Sequence, residues 1–164
     1  INQLVAEGYV GQVPRKGIFA TQISREDLLD IIEARVLLES HAAKICCLKI
    51  TEAQVTELEN IFNKLKNALI NLDNVKYVMY DGLFHKKIGE FAGNKKLYSF
   101  INELEDFVIY VRRMDAYNIR YNYSEEESVK QHENILLAIK NKDEEQACSA
   151  MELNARALLN RMIY

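Results

Sequence analysis

Asp81 and His85 stand four residues apart. On an α-helix that spacing stacks two side chains on one face, so a carboxylate and an imidazole can share one metal ion. His132 and Asn154 are two more Lewis-basic residues that fall on apolar stripes, far along the chain. Arg35 also lies on such a stripe. An inward guanidinium makes charge-assisted bidentate contacts with carboxylates, and Glu33 and Glu39 are candidate partners. Burying Asp81, His85, His132 and Asn154 without partners would cost on the order of several kcal/mol. Either a divalent metal or a mutual hydrogen-bond network with water relieves that cost. Two imidazoles and a carboxylate with open positions are also the ligand set of non-haem iron oxygenases. A metal-dependent enzyme and a metal-free ligand-binding bundle are therefore the alternative readings. No nucleophile or general-base constellation accompanies the residues.

The elements that position these residues are helices. Ser24, Thr51 and Ser124 begin capping-box patterns, Asp143 precedes acids and Gln146, and Asp73, Asn74 and Asn94 are further N-cap candidates. The spacing predicts six helices over 24–48, 51–70, 74–92, 95–117, 124–140 and 143–162, with a candidate break in the fourth near Asp115. Short connections between them imply antiparallel neighbours, hence an all-α, antiparallel bundle of six to seven helices. Stripes at i, i+3, i+4 and i+7 follow: Leu28, Ile31, Ile32, Leu38, Ala42 and Ile45; Tyr77, Phe84, Ile88 and Phe91; Val129, Leu136 and Ile139; Ala147, Met151 and Leu158. The fourth helix carries apolar residues on more than one face (Leu97, Phe100, Ile101, Leu104, Phe107, Val108, Val111), which points to self-association.

The first 22 residues read differently. The one proline and three of the six glycines fall there. Ile1 to Glu7 suits the end of a helix and Gly8 its stop. Tyr9-Val10-Gly11-Gln12 and Ile18-Phe19-Ala20-Thr21 have strand composition, joined by a turn, Pro14-Arg15-Lys16-Gly17, with two positive charges. Helix end, strand, basic turn and strand make the closing part of a winged helix-turn-helix. Residues 1–22 are thus expected to end a DNA-binding domain, with residues 23–164 as a second, helical one. Because the first residue is Ile, residues upstream are expected.

Composition bounds the rest. A chain of 164 residues, 49% hydrophobic and 27% charged, fits an ordinary globular protein. A net charge of −3 speaks against nucleic-acid binding by the chain as a whole. No apolar run approaches the roughly 18 residues of a membrane span, and no signal peptide is visible. The odd cysteine count (Cys46, Cys47, Cys148) reads as free, buried thiols in a reducing cytoplasm.

The ordered motifs resemble the FadR subfamily of GntR-family transcription regulators, in particular its C-terminal FCD effector-binding domain. The wing resembles Leu4–Val10 with Pro14–Thr21 of this chain. The first effector-domain helix resembles Glu33–Glu39 with Ala42-Ala43. The central motif resembles Asp81-Gly82-Leu83-Phe84-His85 followed by Ala92-Gly93-Asn94, and the last two helices resemble His132–Ile135 with Ala138-Ile139, Asp143, Ala147 and Ala150-Met151. The resemblance implies a homodimer that binds operator DNA through an N-terminal winged helix, not an enzyme. It implies a small carboxylic acid effector in the helical domain and a divalent metal, Zn or Ni, at Asp81, His85 and His132. The fourth metal position falls at Asn154, where metal-binding members carry His. Arg35 would hold the effector carboxylate, with Asn94, Arg112, Arg113 and Tyr80 in support. Arg15, Lys16 and Gly17 would meet DNA.

Overall fold

Capping side chains set the helix starts. The Ser24 hydroxyl accepts from the Asp27 N–H at 3.0 Å while the Asp27 carboxylate accepts from the Ser24 N–H at 3.2 Å. Thr51 and Gln54 close the same reciprocal pair. Asp-for-Glu therefore serves the box. The computed structural model describes residues 10–13, 17–20, 24–118 and 125–162. These form β1 (Val10–Val13), β2 (Gly17–Ala20), α1 (Arg25–Lys49), α2 (Glu52–Ile70), α3 (Asn74–Phe91), α4 (Lys95–Asn118), α5 (Glu125–Lys140) and α6 (Glu144–Met162). Each helix lies within one residue of its expected bounds. The candidate break near Asp115 is absent, since α4 continues to Asn118.

Two connections repeat one device. After α2, Leu72 takes a left-handed φ of 56° and the Asp73 N–H reaches back to Ala68 O at 2.9 Å. After α5, Lys142 takes the same φ and the Asp143 N–H reaches Ala138 O at 2.9 Å. The aspartate then caps the next helix, accepting from Lys76 N–H and Gln146 N–H. Orphan carbonyls and amides are thereby satisfied within a two-residue turn, which reverses the chain.

Helix α1 is the spine. It packs most extensively along α6 and also touches α3, α4 and α5; α2 packs on α3 and α5, α3 on α4, and α5 on α6. Apolar clusters fill the two ends. One joins Ala43, Cys46 and Cys47 to Leu58, Phe62, Phe84, Ile88, Ile139 and Met151. Another joins Leu28, Ile32 and Val36 to Val108, Ala155 and Leu158. The strands pair as an antiparallel hairpin, Val10 opposite Ala20 and Val13 opposite Gly17. Residues 1–7, read as a helix end, and Ser124, read as a cap, lie outside the described residues. No described helix is long and apolar enough to cross a membrane.

Candidate metal centre

The polar residues meet between the apolar clusters. Asp81 and His85 on α3 and His132 on α5 are buried, and one ligand atom from each lies within 4.8 Å of the others. His132 Nε2 is 3.3 Å from Asp81 Oδ1, and His85 Nε2 is 3.9 Å from Asp81 Oδ2. Ligands of a tetrahedral zinc with bonds of about 2.0–2.1 Å stand about 3.3–3.4 Å apart, so the spacing suits one shared ion. Phe84 holds both rings edge-on, with centroid distances of 5.3 Å to His132 and 6.0 Å to His85.

The far side of each imidazole supports the same chemistry. His132 Nδ1 lies 2.8 Å from the Ser128 carbonyl, which can only accept, so Nδ1 carries the proton and Nε2 presents its lone pair. His85 Nδ1 lies 2.8 Å from Glu39 Oε2. Ligating histidines characteristically turn their other nitrogen to a carbonyl or carboxylate in this way. His85 Nε2 is buried without a hydrogen-bond partner among the described residues, a position a metal would satisfy. Tyr77 and Ser128 complete the surroundings of Asp81: the Tyr77 hydroxyl is 3.4 Å from Asp81 Oδ1 and 2.5 Å from Ser128 Oγ.

Behind His85 lies an ionic cluster. The fully buried Arg35 donates from Nε to Glu39 Oε1 at 2.6 Å and from Nη2 to Glu39 Oε2 at 3.1 Å. Its Nη2 is also 2.7 Å from Glu105 Oε1. Burial alone would lower the Arg35 pKa, but the charges of Glu105 and Glu39 override it and raise it. Burial likewise works against ionised Glu39, yet Arg35 and His85 hold its carboxyl well below the usual range. Glu105 goes the other way: burial, helped by Glu39 and opposed by Arg35, pushes it up to about 7. Two buried carboxyl groups thus face one guanidinium, and a third, Asp81, faces the two imidazoles, an imbalance a divalent cation would offset.

The expected residues divide by placement. Asn154 on α6 is buried, its amide donating to Gln131 Oε1 at 3.5 Å. Arg35 has found Glu39 rather than Glu33, which is exposed. Asn94 is exposed and caps α4, accepting from the Lys96 and Leu97 N–H groups, both at 3.1 Å. Tyr80 packs on the cluster of Leu65, Leu69, Tyr77 and Val78, with Lys64 Nζ 5.9 Å from its ring centre. The side chains of Arg112 and Arg113, and all of Arg15 and Lys16, lie outside the described residues. Gly17 is exposed and opens β2 with a φ of 108°, a conformation that favours glycine. Cys46 and Cys47 are free and buried; burial pushes their thiols up to about 12 and about 11, so neither supplies a thiolate.

Sequence reasoning missed Glu105. The signal was present: Leu97, Ile101, Glu105 and Val108 follow one stripe of α4, and all four are buried. It is the same kind of anomaly that singled out Arg35. Gly82 on α3 makes room for it, since a Cβ there would sit 3.3 Å from Glu105 Oε2 and 2.6 Å from Ile109 Cδ1.

Solved structures share this helical arrangement, among them a GntR-family transcriptional regulator of Pseudomonas syringae with a TM-score of 0.71 at 18% identity, over 98% of this chain and 66% of that one. Escherichia coli McbR/YncC matches with a TM-score of 0.84 at 20% identity, over 97% of this chain and 80% of that one. The GntR of Streptococcus agalactiae matches with a TM-score of 0.70 at 20% identity, over 97% and 78%. The FCD domain family matches residues 30–156, and the chain belongs to that family. Among curated relatives, the Nta operon transcriptional regulator of Aminobacter aminovorans is 23% identical over 153 residues, 93% of this chain and 69% of the relative. A further curated relative, of Bacillus subtilis, is likewise named a transcriptional regulator rather than an enzyme.

Proposed function

We propose that residues 23–164 form the effector-sensing and dimerisation domain of a metabolite-responsive transcription regulator, and that residues 1–22 end its winged-helix DNA-binding domain. The sensing site is a divalent metal position, Zn or Ni, held by Asp81, His85 and His132 with Asn154 nearby. One observation carries this reading: three buried ligand atoms from two helices converge while both outer imidazole nitrogens face acceptors. When bound, the ion would supply Lewis-acid positions open to an oxygen of a small metabolite. The residues of the chain orient it: Ser128 and Glu39 fix the rings, and Phe84 packs edge-on against both. Effector binding would then bias the helices between two dimer arrangements, which requires different affinity for each. The dimer draws support from Phe100, 54% exposed on a helix whose other side is core. Arg15, Lys16 and Gly17 would meet operator phosphates or the minor groove, while base reading belongs to a recognition helix that these residues do not include.

The test is elemental analysis and zinc titration of protein purified without chelator. One zinc per chain is expected, weakening in acid because both imidazoles must be neutral. His85→Ala should lower affinity more than about 100-fold, beyond the loss typical of a supporting residue, and leave helical content unchanged. Equal zinc binding by His85→Ala would remove the site and leave a polar core network.

A further inference from the structure

A carboxylate effector needs a cation inside the bundle, and Arg35 is the one described guanidinium buried there. That guanidinium already faces two carboxylates of its own chain. Glu39 takes Nε and Nη2 in a fork and turns Oε2 toward His85, so it belongs to the support of the metal position. Glu105 also brings a carboxylate oxygen within 4.8 Å of ligand atoms of Glu39 and His85. It comes from another helix, is fully buried, and stands 2.7 Å from Nη2 without the alignment of a hydrogen bond. Neither of its oxygens has a hydrogen-bond partner among the described residues, and neither does Arg35 Nη1. Beside this 2.7 Å pair, Arg35 Nη1 is the donor left without an acceptor. Gly82 lies opposite Oε2, where a Cβ would come within 3.3 Å of it, after a closer contact of 2.6 Å with Ile109 Cδ1.

Resting on the reading of this core as an effector site, we propose that Glu105 is a tethered carboxylate that fills the anion position beside Arg35. It is a specificity-determining residue, which sets the pocket against free carboxylates and in favour of uncharged oxygen ligands such as alcohols, carbonyls and amides. The charge count agrees. A free carboxylate would bring one more acidic group into a core that already buries Asp81, Glu39 and Glu105 around one guanidinium. An uncharged acceptor can instead meet the idle Arg35 Nη1 and add no charge.

Chemical rescue tests this on the full chain, with and without zinc. Glu105→Ala opens the seat, and sodium formate is compared with formamide and with sodium chloride at equal ionic strength. The variant should gain thermal stability with formate over both controls, and by calorimetry bind formate at least tenfold more tightly than the wild type does. The wild type should show no preference for formate over formamide. Should Glu105→Ala fail to fold without additive, folding restored by formate alone supports the proposal. Should neither additive restore it, Glu105→Ser, which also vacates the anion position, is titrated with formate and formamide and reads the same preference. Wild-type protein that binds formate as tightly as the variants overturns the proposal, as does a folded variant indifferent to formate. Zinc binding is read separately. Its absence from the wild type would sink the metal reading alone, whereas missing rescue with zinc binding intact would sink this one alone.

Discussion

Helix α2 and the other helices of the bundle were built to different rules. The buried residues of α2 are Leu58, Ile61, Phe62, Leu65, Ala68 and Leu69, with no polar residue among them. Helices α1, α3, α4, α5 and α6 each bury at least one: Arg35, Glu39 and Ser40; Asp81 and His85; Glu105; Ser128, Gln131 and His132; Asn154. On α2 the apolar face meets α3 and α5 and water meets the rest, so burial alone explains the helix. The other five enclose a centre whose polarity costs stability unless every group finds a partner. The contrast teaches where to look for function in a bundle: at interruptions of a stripe, and where interruptions from several helices coincide.

Substitutions can break that contrast. The largest effect is expected at Arg35. Arg35→Met leaves Glu39 and Glu105 buried without a counter-ion, which should cost about 3–5 kcal/mol in denaturant unfolding, because a broken buried pair is worse than none. Unchanged stability would show that the cluster is not closed to water. Leu65→Ala on α2 should cost about 2–5 kcal/mol through its cavity, yet leave zinc stoichiometry untouched. A loss of zinc there would erase the division between structural and site helices. Asn154→His sharpens the comparison from the other side. An imidazole in place of an amide should tighten zinc binding about tenfold, or about 1.4 kcal/mol, measured by competition with a chelator. The smallest effect belongs to a cap outside the core. Thr51→Ala should cost about 1 kcal/mol of stability by thermal melting and nothing in zinc affinity.

Much of the site was legible because the signal was local. Asp81 and His85 share a helix face by spacing, and His132, Asn154 and Arg35 interrupt stripes that their own helices define. Glu105 carried the same mark but sat among so many apolar residues of α4 that several stripes competed. Asn94 and Tyr80 were read toward the effector, yet one caps α4 and the other packs on α2 and its neighbours. A polar residue after a helix stop serves a cap as readily as a ligand, and neighbours on a helix point different ways.

By itself the sequence determined the six helices, their caps and turns, the hairpin and the inward direction of most polar residues. These follow from contacts within a few residues: Ser24 with Asp27, Thr51 with Gln54, Asp73 and Asp143 with the helices they start. Which polar residues meet was decided only by tertiary packing. Glu39 and Glu105 converge on Arg35 from two helices, and His85 stands between them and His132, because α1 lies against α3, α4 and α5 at once. Spacing along one helix fixes a face; it carries no information on the angle and register at which another helix crosses it, and a few ångströms of that register separate an ion pair from two unpaired charges.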